Sequence, residues 1–187
     1  MVSSLLLVAA ARAGRRASYD NTSGISAAGI DRPLYWSLRG GRRSDAQMRR
    51  PIGRLGAPNP PGTVQSPNSL RGACLVQGAL TVHLLREADC DLRITESLPK
   101  SAALAARHRD AAAPRARRCD GGSGRALLAC DAPSCDHERD AALGALTALA
   151  MVERWTGWRD LSLDEDDVYF PAGRVEYWMP LGARAQE

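Results

Sequence analysis

The 187-residue sequence predicts an α/β layer fold, and three observations predict it. A short apolar run at 25–30 is closed by Asp31-Arg32-Pro33. A stretch with helical spacing, 69–88, leads into the alternating segment Asp91-Leu92-Arg93-Ile94-Thr95-Glu96. A longer helical pattern starts after Asp136. Strands alternating with helices bury their apolar faces by layering helices on a sheet, and a chain of this length can bury a substantial core.

The elements follow in chain order. Leu5 to Ala11 is an apolar run too short to span a bilayer, which takes ~20 residues, and it reads as a helix fragment. Residues 12–24 are rich in Arg, Ser and Gly and read as irregular. The run at 25–30 suits a buried strand, and Pro33 disfavours helix at Arg32. Residues 40–68 are polar and broken by Pro51, Pro58, Pro60, Pro61 and Pro67, which reads as a long loop with one helical turn near 45–49. Asn68 or Ser69 can cap a helix reaching about Ala88, with Leu70, Cys74, Leu75, Val82 and Leu85 at helical spacing.

The alternation at 91–96 is a strand signal. Pro99 stops it and can open another helix through Arg109, and a loop rich in Gly and Pro follows to 135. Asp136 can cap the strongest helix, along which Leu143, Leu146, Leu149, Ala150 and Trp155 keep the period until Gly157. Pro171-Ala172-Gly173 between aromatic-rich arms at 168–179 reads as a small hairpin or an extended tail.

Composition narrows the functional classes. Phe170 is the only phenylalanine, so the core should rest on Leu, Val, Ile and the tryptophans at 36, 155, 158 and 178. Residues 1–60 carry ten Arg against Asp20, Asp31 and Asp45, a formal +7, while the remainder sums to −3. A basic amino-terminal part can lie against nucleic acid, or form a poorly ordered arginine-rich segment. Five cysteines cannot all pair, and nothing else points to secretion, so reduced thiols in a cytoplasmic protein are the simplest state. No stretch is long enough for a membrane span. Cys130, Cys135 and His137 invite a zinc reading, but only Cys119 lies near as a further ligand, which favours ordinary thiols. His83 should be partly buried on the middle helix, and His108 isolated in a basic stretch. Gly121-Gly122-Ser123-Gly124 lacks the lysine of a phosphate loop.

Three carboxylates stand out by position. Asp31 ends the first strand, Glu96 ends the second, and Asp140 lies near the start of the long helix. Ligand sites in parallel sheets form outside the carboxyl ends of strands. If the two strands are neighbours, Asp31 and Glu96 face one crevice and Asp140 can point into it. Three converging carboxylates repel one another and hold divalent cations such as Mg²⁺, and two ions about 3.5–4 Å apart can activate a water against a phosphodiester. Each residue also has an ordinary reading: Asp31 as a turn-former, Glu96 as an exposed strand end, Asp140 as a helix-dipole partner.

Several blocks, in order, resemble a family of uncharacterised proteins predicted to be RNase H-like nucleases. They are Ala28-Gly29-Ile30-Asp31-Arg32-Pro33-Leu34-Tyr35-Trp36, the stretch from Gly62 to Ala73, and Leu75-Val76-Gln77-Gly78. Ile94-Thr95-Glu96-Ser97-Leu98-Pro99-Lys100, His137-Glu138-Arg139-Asp140-Ala141-Ala142 and Phe170-Pro171-Ala172-Gly173 complete the set. The resemblance implies one RNase H-like layered domain over 25–181, after a degenerate segment 1–24 and before a tail 182–187. It implies a site holding Mg²⁺ or Mn²⁺ on Asp31, Glu96 and Asp140, with Asp136 and His137 as helpers. Arg42, Arg43, Arg49 and Arg50, or Arg115, Arg117 and Arg118, would then neutralise nucleic-acid phosphates.

Two departures shape the expectation. Such folds open with a strand bearing an acidic residue, for which Asp20 is no convincing substitute, so the sheet should be incomplete at its N-terminal edge. Leu98 stands where the family has a histidine before the proline. The function expected is metal-dependent phosphodiester hydrolysis. The alternative is an inactive or truncated relative that binds nucleic acid or protein, or has no role.

Overall fold

The computed structural model describes residues 8–11, 25–38, 40–54, 72–98 and 135–180. The helix expected at 99–109, the loop to 134, His108, Cys119 and Cys130 lie outside these residues. In chain order the elements are β1 (Val8–Ala11), β2 (Ala27–Ile30), β3 (Trp36–Ser37), α1 (Arg43–Arg54), α2 (Gly72–Ala88) and β4 (Arg93–Glu96). Then come α3 (Asp136–Glu153), β5 (Arg159–Asp160), a 3-10 turn (Leu161–Asp164), β6 (Val168–Tyr169) and β7 (Glu176–Met179).

The protein is mixed α/β. Five strands form one sheet in the order β1-β2-β4-β7-β5, and β3 pairs with β6 in a separate two-stranded sheet. β2 and β4 are parallel neighbours, with Ile30 opposite Glu96, and β7 is parallel to β4. β1 and β5 run antiparallel to their neighbours at the two edges.

Alternation along the strands sorts their side chains into two layers. Ala28, Ile30, Ile94, Tyr177 and Met179 pack with Leu34, Tyr35, Met48 of α1 and Val82 of α2. Ala27 and Trp178 face the other way, onto Ala148, Leu149 and Met151 of α3. The sheet is therefore covered on one side by α1 and α2 and on the other by α3. No helix among the described residues is long and apolar enough to cross a membrane.

β2 is buried at all four residues, as its apolar run requires. Gly29 brings it against α3 so closely that a Cβ there would overlap the carbonyl of Gly144. The clash is backbone against backbone, and neither side has a rotamer to yield. Gly29→Ala is therefore expected to cost about 3 kcal/mol, read as a drop of roughly 6–12 °C in melting temperature.

Four local expectations change. Val8–Ala11 is a strand rather than part of a helix, because its backbone pairs with β2. The loop at 40–68 opens with the twelve-residue helix α1, which contains Pro51. Its N-terminus is capped from far along the chain: Glu165 accepts from the backbone N–H groups of Arg43 and Ser44, both at 2.9 Å. That carboxylate supplies acceptors for first-turn N–H groups that have no partner within the helix, and its charge suits the positive end of α1. The arms around Pro171-Ala172-Gly173 do not pair with each other, since β6 joins β3 and β7 enters the main sheet. α3 begins after Cys135, which makes no side-chain cap, and Asp136 lies in the first turn.

Candidate active site

The carboxyl ends of β2 and β4 lie side by side, as a crevice between parallel strands requires. Asp31 follows β2 in a bend and is half-buried. Asp140 is the fifth residue of α3 and is also half-buried. One helical turn later Gly144 touches Gly29, and further on Ala148 packs with Ala27. Moving toward the start of α3 thus moves toward the end of β2, and Asp31 and Asp140 come to the same end of the sheet.

Glu96 does not join them. It pairs across the ladder with Ile30 and lies two residues beyond Ile94, so it shares their face and enters the α1 and α2 layer. The sheet separates it from α3. Glu96 is 3% exposed, and its oxygens are taken. Arg42 donates to Oε2 through Nη1 at 2.6 Å and to Oε1 through Nη2 at 2.7 Å, and the backbone N–H of Leu34 donates to Oε2 at 3.0 Å.

Arg42 is equally committed. Its Nε and Nη2 donate to Asp45 at 3.0 and 2.9 Å, and Nη1 also reaches the carbonyl of Tyr35 at 3.2 Å. All five N–H groups of the guanidinium fork therefore have acceptors. Its flat faces lie near the rings of Tyr35 and Tyr177, 4.5 and 5.5 Å from their centroids. Such rings favour a desolvated cation.

The buried group carries two carboxylates and one guanidinium. Burial pushes the Glu96 carboxyl above its usual 4.5, and Arg42 pulls against that rise without cancelling it. For Arg42 burial acts downward, but Glu96 and Asp45 override it and hold the guanidinium well above its ordinary value. Burial, and then Glu96, raise the Tyr35 phenol as well, so it stays protonated and donates to Ser44 Oγ at 3.0 Å.

This arrangement does not fit a metal centre at Glu96. A divalent ion needs oxygen lone pairs open to it and usually keeps waters, while here an internal cation holds the carboxylate in a dry layer. Among the described residues no group of three or more His, Cys, Asp or Glu side chains could hold a metal ion. Of the expected helpers, Asp136 is exposed and bonded to Arg139, and His137 is exposed. His83 is exposed beside Glu87 rather than partly buried, and Cys135 is an exposed free thiol.

Arg42, expected among the groups that neutralise phosphates, is instead buried and spent on Glu96 and Asp45, and the parts played by Asp45 and the two tyrosines were not foreseen. The spacing Arg-x-x-Asp at 42–45 was a usable signal once helix is granted there, since i and i+3 share a face. The alternation Ile94-Thr95-Glu96 was another: a core Ile94 puts Glu96 in the core too. No family model, curated protein or solved structure matches the chain.

Proposed function

We propose that this chain is a non-hydrolysing relative of the predicted RNase H-like nucleases, which keeps a layered α/β scaffold and binds nucleic acid without cutting it. The ordered blocks around Asp31, Glu96 and Asp140 support the kinship. The observation that carries the loss of hydrolysis is the bidentate hold of Arg42 on Glu96. A carboxylate already paired with an internal guanidinium has no reason to recruit Mg²⁺ or Mn²⁺, and exchanging one cation for the other would strand Arg42 in a dry layer. The +7 carried by residues 1–60 supports a polyanionic partner.

Hydrolysis through Asp31 and Asp140 is the rival reading, and their shared end of the sheet favours it. Purified full-length protein incubated with labelled DNA and RNA in Mg²⁺ or Mn²⁺ separates the two. No cleavage above that of Asp140→Asn is expected. Cleavage by the wild type that disappears in Asp31→Asn or Asp140→Asn would restore the nuclease.

A further inference from the structure

We propose that the outward face of α1 is the surface that grips the phosphate backbone of nucleic acid; this rests on the binding reading above and gives it a place. Residues 42–54 hold five arginines and Asp45, a net 5 − 1 = +4. The whole chain is 25 − 21 = +4, so everything outside this stretch sums to zero. Two of these charges are turned inward, because Arg42 and Asp45 form the buried network with Glu96. Helical geometry groups three of the other four, Arg49 standing about 100° aside and half-buried. At 3.6 residues per turn and 1.5 Å per residue, positions 43, 50 and 54 fall within about 40° of one another, spaced about 10 and 6 Å along the axis.

The described positions on and beside that stripe face outward. Arg43, Ala46 and Gly53 are exposed, while Ser44, Asp45 and Met48 on the opposite side are buried. Arg43 bridges Asp166, but both side chains are more than 60% exposed. Such a surface pair contributes little and yields to a competing anion.

The chemistry of the face selects the partner. A membrane-binding helix lays an apolar face into lipid, and α1 has spent its apolar face on the core through Met48. Protein interfaces pair arginine anchors with a core of aromatic or large apolar residues, and positions 43, 46, 50, 53 and 54 carry arginine with no such core. Phosphate backbones require only cationic donors along a line. Contacts of this kind carry no base readout, so binding is independent of sequence. The caps from Glu165 and the pairing of Arg42 fix α1 before any ligand arrives, which lowers the ordering cost of binding.

The test is binding of short labelled DNA and RNA oligonucleotides by full-length protein, followed by fluorescence anisotropy in EDTA over a range of salt. Affinity should fall as salt rises. Arg50→Gln with Arg54→Gln should weaken it at least about tenfold and reduce the log–log salt slope by about two. A charge-matched control, Arg139→Gln with Arg174→Gln, should stay within about twofold of the wild type. No binding by the wild type, an unaffected α1 double variant, or equal losses in both double variants would overturn the proposal. If the α1 double variant fails to fold by circular dichroism, Arg43→Gln decides: a slope lower by about one is expected, and an unchanged slope counts against the face. EDTA removes metal-dependent cleavage from this readout. Cleavage in Mg²⁺ would therefore sink the non-hydrolysing reading alone, and binding that ignores α1 would sink this surface alone.

Discussion

Replacing Arg42 with methionine is expected to cost about 3–5 kcal/mol of folding stability at neutral pH. Methionine fills much of the same volume, so lost packing is the smaller part of the effect. The larger part is electrostatic. Glu96 and Asp45 would remain in the layer beneath α1, at 3% and 5% exposure, without the cation that now bonds to both. A domain is stable by only about 5–15 kcal/mol in total, so the variant should sit close to the limit of folding.

The same substitution has a pH signature whose sign follows from Glu96. Its carboxyl already lies above 4.5 in the folded protein because burial outweighs Arg42. A group raised in the folded state contributes stability below its unfolded value, and that contribution is lost as pH rises toward the folded value. Removing Arg42 removes the attraction that restrains the rise, so the window of loss extends further upward. The deficit of Arg42→Met against the wild type should therefore grow with pH. Urea denaturation at about pH 5 and about pH 8 checks this, and a deficit that shrinks over that interval would contradict it.

The second large effect concerns Glu96 itself. Glu96→Gln is expected to cost about 3 kcal/mol. The amide can still accept from Leu34, but its NH₂ would face a guanidinium N–H where an oxygen now stands. Two donors meeting in a dry layer leave both unsatisfied. The direction of this change discriminates between the two accounts of the site. A set of metal-ligating carboxylates without its ion is mutually repulsive, and neutralising one member relieves the strain and stabilises the protein. A carboxylate paired with Arg42 loses stability when neutralised. Thermal or urea unfolding in EDTA reads the sign directly.

Much of the scaffold was legible because local patterns and tertiary contacts agree there. The apolar run before Asp31 became β2, the alternation ending at Glu96 became β4, and the helical periods became α2 and α3. Gly78 of α2 lies against the turn after β2, where a Cβ would stand 2.5 Å from the Pro33 carbonyl. α1 was illegible for the opposite reason. Its stretch is polar, arginine-rich and interrupted by Pro51, so local signals argue for no more than the one turn near 45–49; Glu165, Gln47 with Arg159, and the Arg42 network hold the longer helix from outside. The pairing of β6 with β3 was equally remote, joining Trp36 to Tyr169 across most of the chain.

The site followed the same division. Neighbouring strands with carboxylates at their ends were readable from spacing, and the register bears out that adjacency. The face taken by Glu96 was decided by one step of alternation, and a single residue reverses it. Its partner lay in a segment that reads as loop.

The central claim is that Arg42 is the counter-ion of Glu96, and a double-mutant cycle tests it most directly. Unfolding free energies of the wild type, Arg42→Met, Glu96→Gln and the double variant give the coupling between the two side chains. Direct bidentate pairing in a buried layer predicts a coupling of at least about 2 kcal/mol, with the double variant far less damaged than the two single losses added together. Additive losses, equal to the sum within about 0.5 kcal/mol, would mean that Glu96 does not depend on Arg42 and would contradict the account.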